Sequence, residues 1–313
     1  MRQSVDLKAL LNFDDNDFGV FLSYFILTLL CFIYNSIAAC VVQEMVKFST
    51  IACRLLTLEQ LLRIGMCTIS IFHLYWFIES RSNEMIDQKV PWIVEAINLI
   101  TSTVFVGLYY SIVLVELFLS VQRYRDVIMN EIQEKEKTSS HHFPIWTALF
   151  LPTGILLIIQ FFKEEKLLYD PISSTVYSHG SFWQSILFSL RIISIALNGI
   201  CLFYDYKVIK FSKNHLEVSG KDDQSVKTRR RLATLLIVRD IWMGLSFLLS
   251  IVLPFVFEAF SLQQSLTLYI AHGAVPVFFR AITGLLTVCF IGKRKRDDPN
   301  DQNCHCQCTF IVY

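Results

Sequence analysis

Apolar runs separated by short polar stretches set the pattern of this chain. The runs are Phe18–Met45, Leu55–Ile78, Trp92–Val121, Phe143–Phe162, Phe182–Tyr206, Leu232–Glu258 and Ser265–Ile291. At ~1.5 Å per residue each can cover ~30 Å of hydrocarbon, with tilt taking up the excess. The pattern therefore predicts an all-α bundle of seven transmembrane helices over residues 18–292. Residues 1–17 form an N-terminal segment and 293–313 a tail. The first run has no charge between Phe18 and Gln43, and Asp6, Asp14, Asp15 and Asp17 precede it where a secretory signal would be positive. It is read as a retained span.

Composition changes the solvent, not the pattern. Hydrophobic residues make up 54% and charged residues 18%, against ~45–50% and ~25% in soluble domains, so a lipid bilayer is the expected partner. Net charge is +1 and says little, because the placement of charge orients a membrane protein. Alternate connections, with the tail, put 18 Lys and Arg on one side, among them Lys47, Arg125, Lys207 and Lys293–Arg296; the other side has 6. The positive-inside rule then predicts an N-terminus outside and a C-terminus in the cytosol. No cysteine falls in a predicted outer segment, so no external disulfide is expected.

Helix three leaves its apolar run at Gln122-Arg123-Tyr124. This resembles the D/E-R-Y triplet of the rhodopsin-like G-protein-coupled receptors. Trp146 in helix four, Leu253-Pro254 in helix six and the basic entry Thr228-Arg-Arg-Arg231 add to the likeness. Val275-Pro-Val-Phe-Phe279 departs from the family's N-P-x-x-Y, helix five has no proline, and Glu59 is the only candidate for the helix-two acid. The short, Phe-rich plan is similar to the nematode serpentine chemoreceptor superfamily. That resemblance implies a chemosensory receptor in the plasma membrane, the sensory cilium being one such place, with a small-molecule ligand and a heterotrimeric G protein as partners. A membrane channel or transporter stays open as an alternative, as does an orphan membrane protein without a signalling role. The positive-inside count opposes an odorant channel of reversed topology, and no internal repeat of the transporter kind is visible.

Charge inside the helices is where chemistry is expected. An unpaired charge in lipid costs at least ~2.5–3.5 kcal/mol on insertion scales, so such residues face the bundle interior and pair. Glu59 and Arg63 stand i,i+4 with the acid first and share a face; Glu116 and Arg123 are seven apart and also share one. Glu59, Arg63, Glu116, Arg239, Asp240 and Arg280 form a predicted intramembrane network, as static glue or as a switch. Glu95, Arg191 and His272 form the outer layer and a predicted ligand site, unless Arg191 and Glu95 merely tie two helices. Arg123, Tyr124, Arg229, Arg230 and Arg231 form the predicted G-protein surface.

Cys304, Cys306 and Cys308 follow the basic Lys293–Arg296 patch. That setting suits S-acylation better than zinc, whose ligand spacing the tail lacks, and an inert tail stays open. No phosphate-binding glycine loop, His-x-x-x-His pair or nucleophile elbow occurs, so no enzyme is expected. Lysine is missing from every predicted helix core, which excludes a retinal Schiff base. No metal, cofactor or nucleic-acid partner is expected.

Overall fold

The computed structural model describes residues 15–43, 50–85, 92–128, 143–163, 166–170, 175–177, 181–219, 224–260 and 269–292. Helices carry nearly all of this: α1 (Asp15–Gln43), α2 (Thr50–Met85), α3 (Trp92–Ile128), α4 (Phe143–Phe162), α5 (Ser181–Ser219), α6 (Gln224–Ala259) and α7 (Val275–Gly292). Five of them (α1, α2, α3, α5 and α6) are long and apolar enough to cross a membrane, and α4 and α7 contain shorter apolar segments.

Sidedness of each helix shows what solvent the bundle was built for. On α1, Leu22, Phe25, Ile26, Leu29, Ile33 and Ile37 are exposed, while Thr28 and Asn35 are buried. Those exposed positions recur at helical spacing and make one greasy stripe. A water-soluble helix turns its apolar stripe inward; here polar side chains point in and hydrocarbon points out. Helix α4 repeats this, with Phe150, Ile158 and Phe161 outward and Gln160 inward. This is the pattern of a helical bundle in lipid, where a hydrophobic drive between helices is absent and packing with internal hydrogen bonds replaces it.

Packing closes a ring. α1 lies against α2 and α7, α2 against α3, α3 against α5, α5 against α6, and α6 against α7, while α4 sits outside on α3. Small residues set the closest approaches. A Cβ on Gly107 of α3 would lie 2.7 Å from the Thr153 Cα of α4, and one on Gly244 of α6 would lie 2.6 Å from Asn198 Oδ1 of α5.

Three features differ from the apolar runs. First, α3 passes straight through Gln122-Arg123-Tyr124 to Ile128. Gln and Arg are good helix formers, so polarity ends the apolar run without ending the helix. α5 likewise runs 39 residues, roughly 58 Å of rise, so part of it projects beyond any ~30 Å hydrocarbon layer. Second, the bundle is not purely helical. Leu168–Asp170 (β1) pairs antiparallel with Thr175–Tyr177 (β2), in segments supplied with the Tyr, Thr and Val that suit a strand. Before this hairpin, Leu167 N–H donates to Gln160 Oε1 at 3.2 Å, and Lys166 Nζ donates to the carbonyls of Gln160 and Lys163 at 2.8 and 2.6 Å. These bonds satisfy groups that a helix end leaves open. Third, α7 is entered through a π-helical turn, Tyr269–Ala274. Pro276, just after it, has no N–H to give to a regular ladder, and wide turns of this kind cluster at functional sites.

Candidate functional site: buried charges between the helices

The interior holds two ion-pair centres linked along α3. In the first, Arg63 of α2 donates to Glu59 Oε1 from Nη2 at 2.7 Å and from Nε at 3.1 Å. Their i,i+4 spacing makes that contact local. Arg63 Nη2 also reaches Glu116 Oε1 of α3 at 3.1 Å. From α6, Arg239 pairs with Glu59 and stands 3.6 Å from Glu116 Oε1. All four side chains are at most 4% exposed. Two carboxylates against two guanidinium groups balance, which is the condition for carrying such charges in a low-dielectric interior. The balance of bonds is less complete. Glu59 Oε2, Arg63 Nη1, Arg239 Nε and Nη1 and both amide atoms of Gln60 are buried without a partner among the described residues. A polar site of this kind is where buried water is held.

The second centre lies one turn along. Ser120 is four residues past Glu116, about 6 Å of rise, and its Oγ donates to Asp205 Oδ2 of α5 at 3.1 Å. Arg123 Nη1 donates to Asp205 Oδ1 at 2.5 Å, with Arg123 6% exposed and Asp205 fully buried. Asp240, next to Arg239 on α6, is buried, and its Oδ2 has no partner among the described residues. Beside the Arg123–Asp205 pair the rings of Tyr124 and Tyr204 stand 5.0 Å apart at 58°. Asp205 is absent from the charges selected on the sequence. It sits second from the end of the run Phe182–Tyr206, and a count of every acid within that run finds it.

Arg280 of α7 belongs to neither centre. It is 3% exposed, and no carboxylate among the described residues pairs with it. Its Nε donates to the Pro276 carbonyl at 3.0 Å, and Nη1 lies 3.5 Å from Met66 Sδ. The guanidinium stands over Phe105 and Tyr109, 5.7 and 5.4 Å from the ring centroids. α7 turns this residue to aromatic faces of α3.

Of the expected ligand-site residues, Arg191 is half-buried on α5 and forms no ion pair among the described residues. Glu95 lies on α3 and His272 in the π-helical turn, but their side chains lie outside the described ones. The same holds for Arg229, Arg230 and Arg231 on α6, while Cys304, Cys306 and Cys308 fall in a tail that is wholly outside the described residues. Further polar ties cross the ring. His73 of α2 bonds Thr101 Oγ1 of α3 at 3.0 Å, and Tyr24 of α1 donates to Ser70 Oγ of α2 at 3.3 Å.

Chemically, this interior can hold helices in register, exchange ion-pair partners when a helix moves, and hold water. Among the described residues no group of His, Cys, Asp and Glu is placed to hold a metal ion. No protein family matches the chain, and no curated protein matches it.

Proposed function

We propose that the chain is a seven-helix chemosensory receptor in the plasma membrane that couples a ligand to a heterotrimeric G protein, with its N-terminus outside and its tail in the cytosol. The observation that carries this is the Arg123–Asp205 pair. Arg123 follows the last apolar turn of α3, yet it is folded inward onto a carboxylate of α5. A cation near water needs no such partner. Held there, it is a latch between two helices, and a latch is of use only if the helices can part.

Chain order supports the same reading. Arg123 precedes Tyr124 at the end of the third apolar run, and Arg229–Arg231 precede the sixth, so by chain order both stand on the side on which the basic loop residues concentrate. A ligand that favours one packing of the ring shifts the population toward it by its differential affinity. If that packing parts α3 from α5, Arg123 and the α6 basic run turn to a G protein. Glu95, Arg191 and His272 are the proposed ligand contacts at the other end. The plan resembles that of the nematode serpentine chemoreceptor superfamily.

The deciding experiment is nucleotide exchange. The purified chain in nanodiscs, with a panel of G proteins and of volatile and water-soluble small molecules, should accelerate guanine-nucleotide exchange for at least one combination. Arg123→Ala should abolish that exchange at equal protein level. The buried ion pairs also fit an ion path; ligand-gated conductance in bilayers with no exchange on any G protein would move the assignment to a channel.

A further inference from the structure

We propose that Arg280 anchors a monocarboxylate with an apolar body inside the ring, between α2, α3 and α7. The inference rests on the receptor reading for its physiological meaning, and goes beyond it in naming the ligand class and the anchoring residue.

The argument starts from hydrogen-bond capacity. A guanidinium has five N–H donors in a planar fork. At Arg280 one is used by the Pro276 carbonyl, and another has only the weak thioether acceptor of Met66. Nη2, with two donors, has no bond among the described residues. Arg63, Arg123 and Arg239, the other buried arginines among the described residues, each have a carboxylate. Arg280 lies 12 residues before Gly292, roughly 18 Å of rise, which is deep within a ~30 Å layer.

Geometry explains why the cation stays there. Its Nε bond to the carbonyl of its own preceding turn and the aromatic faces of Phe105 and Tyr109 hold it in place, cation over ring, without neutralising it. Tyr109 also stands within electrostatic reach of Arg191 on α5. Among the described residues no acid is paired with Arg280, and its walls are ring and thioether.

That combination selects the ligand. A single guanidinium with its Nη2 donors open offers one carboxylate a charge-assisted contact. A phosphate brings more charge than one buried cation balances. The aromatic walls suit an aliphatic or aromatic body on the same molecule, as in small-molecule pockets generally. The π-helical turn Tyr269–Ala274 ends six residues before Arg280, where a widened ladder lets the segment adjust around an occupant.

The test uses the purified full chain in a non-ionic detergent, with octanoate as the probe and octanol, octylammonium and chloride as comparators. Octanoate should raise the melting midpoint saturably, and the three comparators should not reproduce the shift. Arg280→Gln should weaken octanoate at least about tenfold, the loss of a charge-assisted contact. Arg280→Lys, which keeps the charge without the fork, should fall between the two and covers the case in which the glutamine variant does not fold. An equal shift with octanol, a saturating shift with chloride alone, or unchanged octanoate affinity in both variants overturns the proposal. No G protein enters this measurement, so its failure is separable from failure of the receptor reading.

Discussion

Replacing Asp205 by Asn is the sharpest probe of the latch. Asp205 takes two bonds, from Arg123 Nη1 at 2.5 Å and Ser120 Oγ at 3.1 Å. Asparagine keeps the shape and the Ser120 bond but leaves the Arg123 cation facing a neutral amide. Breaking a buried ion pair by removing one partner costs ~3–5 kcal/mol, because the remaining charge stays desolvated. Arg123 has further contacts and can swing toward the helix end, so the lower figure, about 3 kcal/mol, applies. At roughly 2 °C per kcal/mol for a chain of this size, the melting midpoint should fall by about 6 °C. Adding Arg123→Gln removes the stranded cation, so the double variant should melt at or above Asp205→Asn, with a coupling energy of at least ~1.5 kcal/mol. The assay is thermal unfolding of matched preparations of wild type, both single variants and the double variant. Strict additivity, within about 0.5 kcal/mol, would refute a direct pair. In the same preparations Asp205→Asn should raise nucleotide exchange without ligand, because the latch is already open; unchanged basal exchange would make Arg123–Asp205 a static tie.

Glu59→Gln should be among the most damaging single changes in the bundle, costing ~3–5 kcal/mol, because it leaves Arg63 and Arg239 to share the one carboxylate of Glu116; surface level and melting point read it, and a near-neutral result would dissolve the first centre. Gly107→Ala should destabilise by ~1–3 kcal/mol, since the added methyl meets the Thr153 backbone and overpacking of that kind is not relieved by a rotamer change; Gly199→Ala, with open space around it, is the control and should melt as wild type. Epitope tags at the two ends of intact cells should stain only at the N-terminus, and staining of the C-terminal tag without permeabilisation would overturn the proposed topology. A hydroxylamine-sensitive mass on the tail, lost when Cys304, Cys306 and Cys308 are all changed to Ser, would establish acylation; an unmodified tail in native membranes counts against it.

What the sequence alone determined was the part governed by short range and by solvent. Apolar runs long enough for lipid predict helices, and helices appear at all of them, because in hydrocarbon the backbone has few other ways to satisfy its own polar groups. The Glu59–Arg63 contact was equally legible, since a four-residue spacing puts both on one face whatever the rest of the chain does. Charge inside such a run is expected to turn inward, and Glu59, Arg63, Glu116, Arg239 and Asp240 do, while Arg191 is only half-buried.

Only tertiary structure decided who pairs with whom. Arg239 meets Glu59 across 180 positions and Arg123 meets Asp205 across 82, and nothing in either neighbourhood specifies the partner. That choice is made by which helices become neighbours and how each is rotated, and small residues such as Gly107 and Gly244 set those approaches. The helix ends were illegible for a related reason: Gln122-Arg123-Tyr124 changes the solvent preference of α3 but not its backbone preference, so the helix runs on. Arg280 is the clearest case. Sequence gives it the same rule as the other buried arginines, yet the rotation of α7 turns it away from the carboxylates and onto Phe105 and Tyr109.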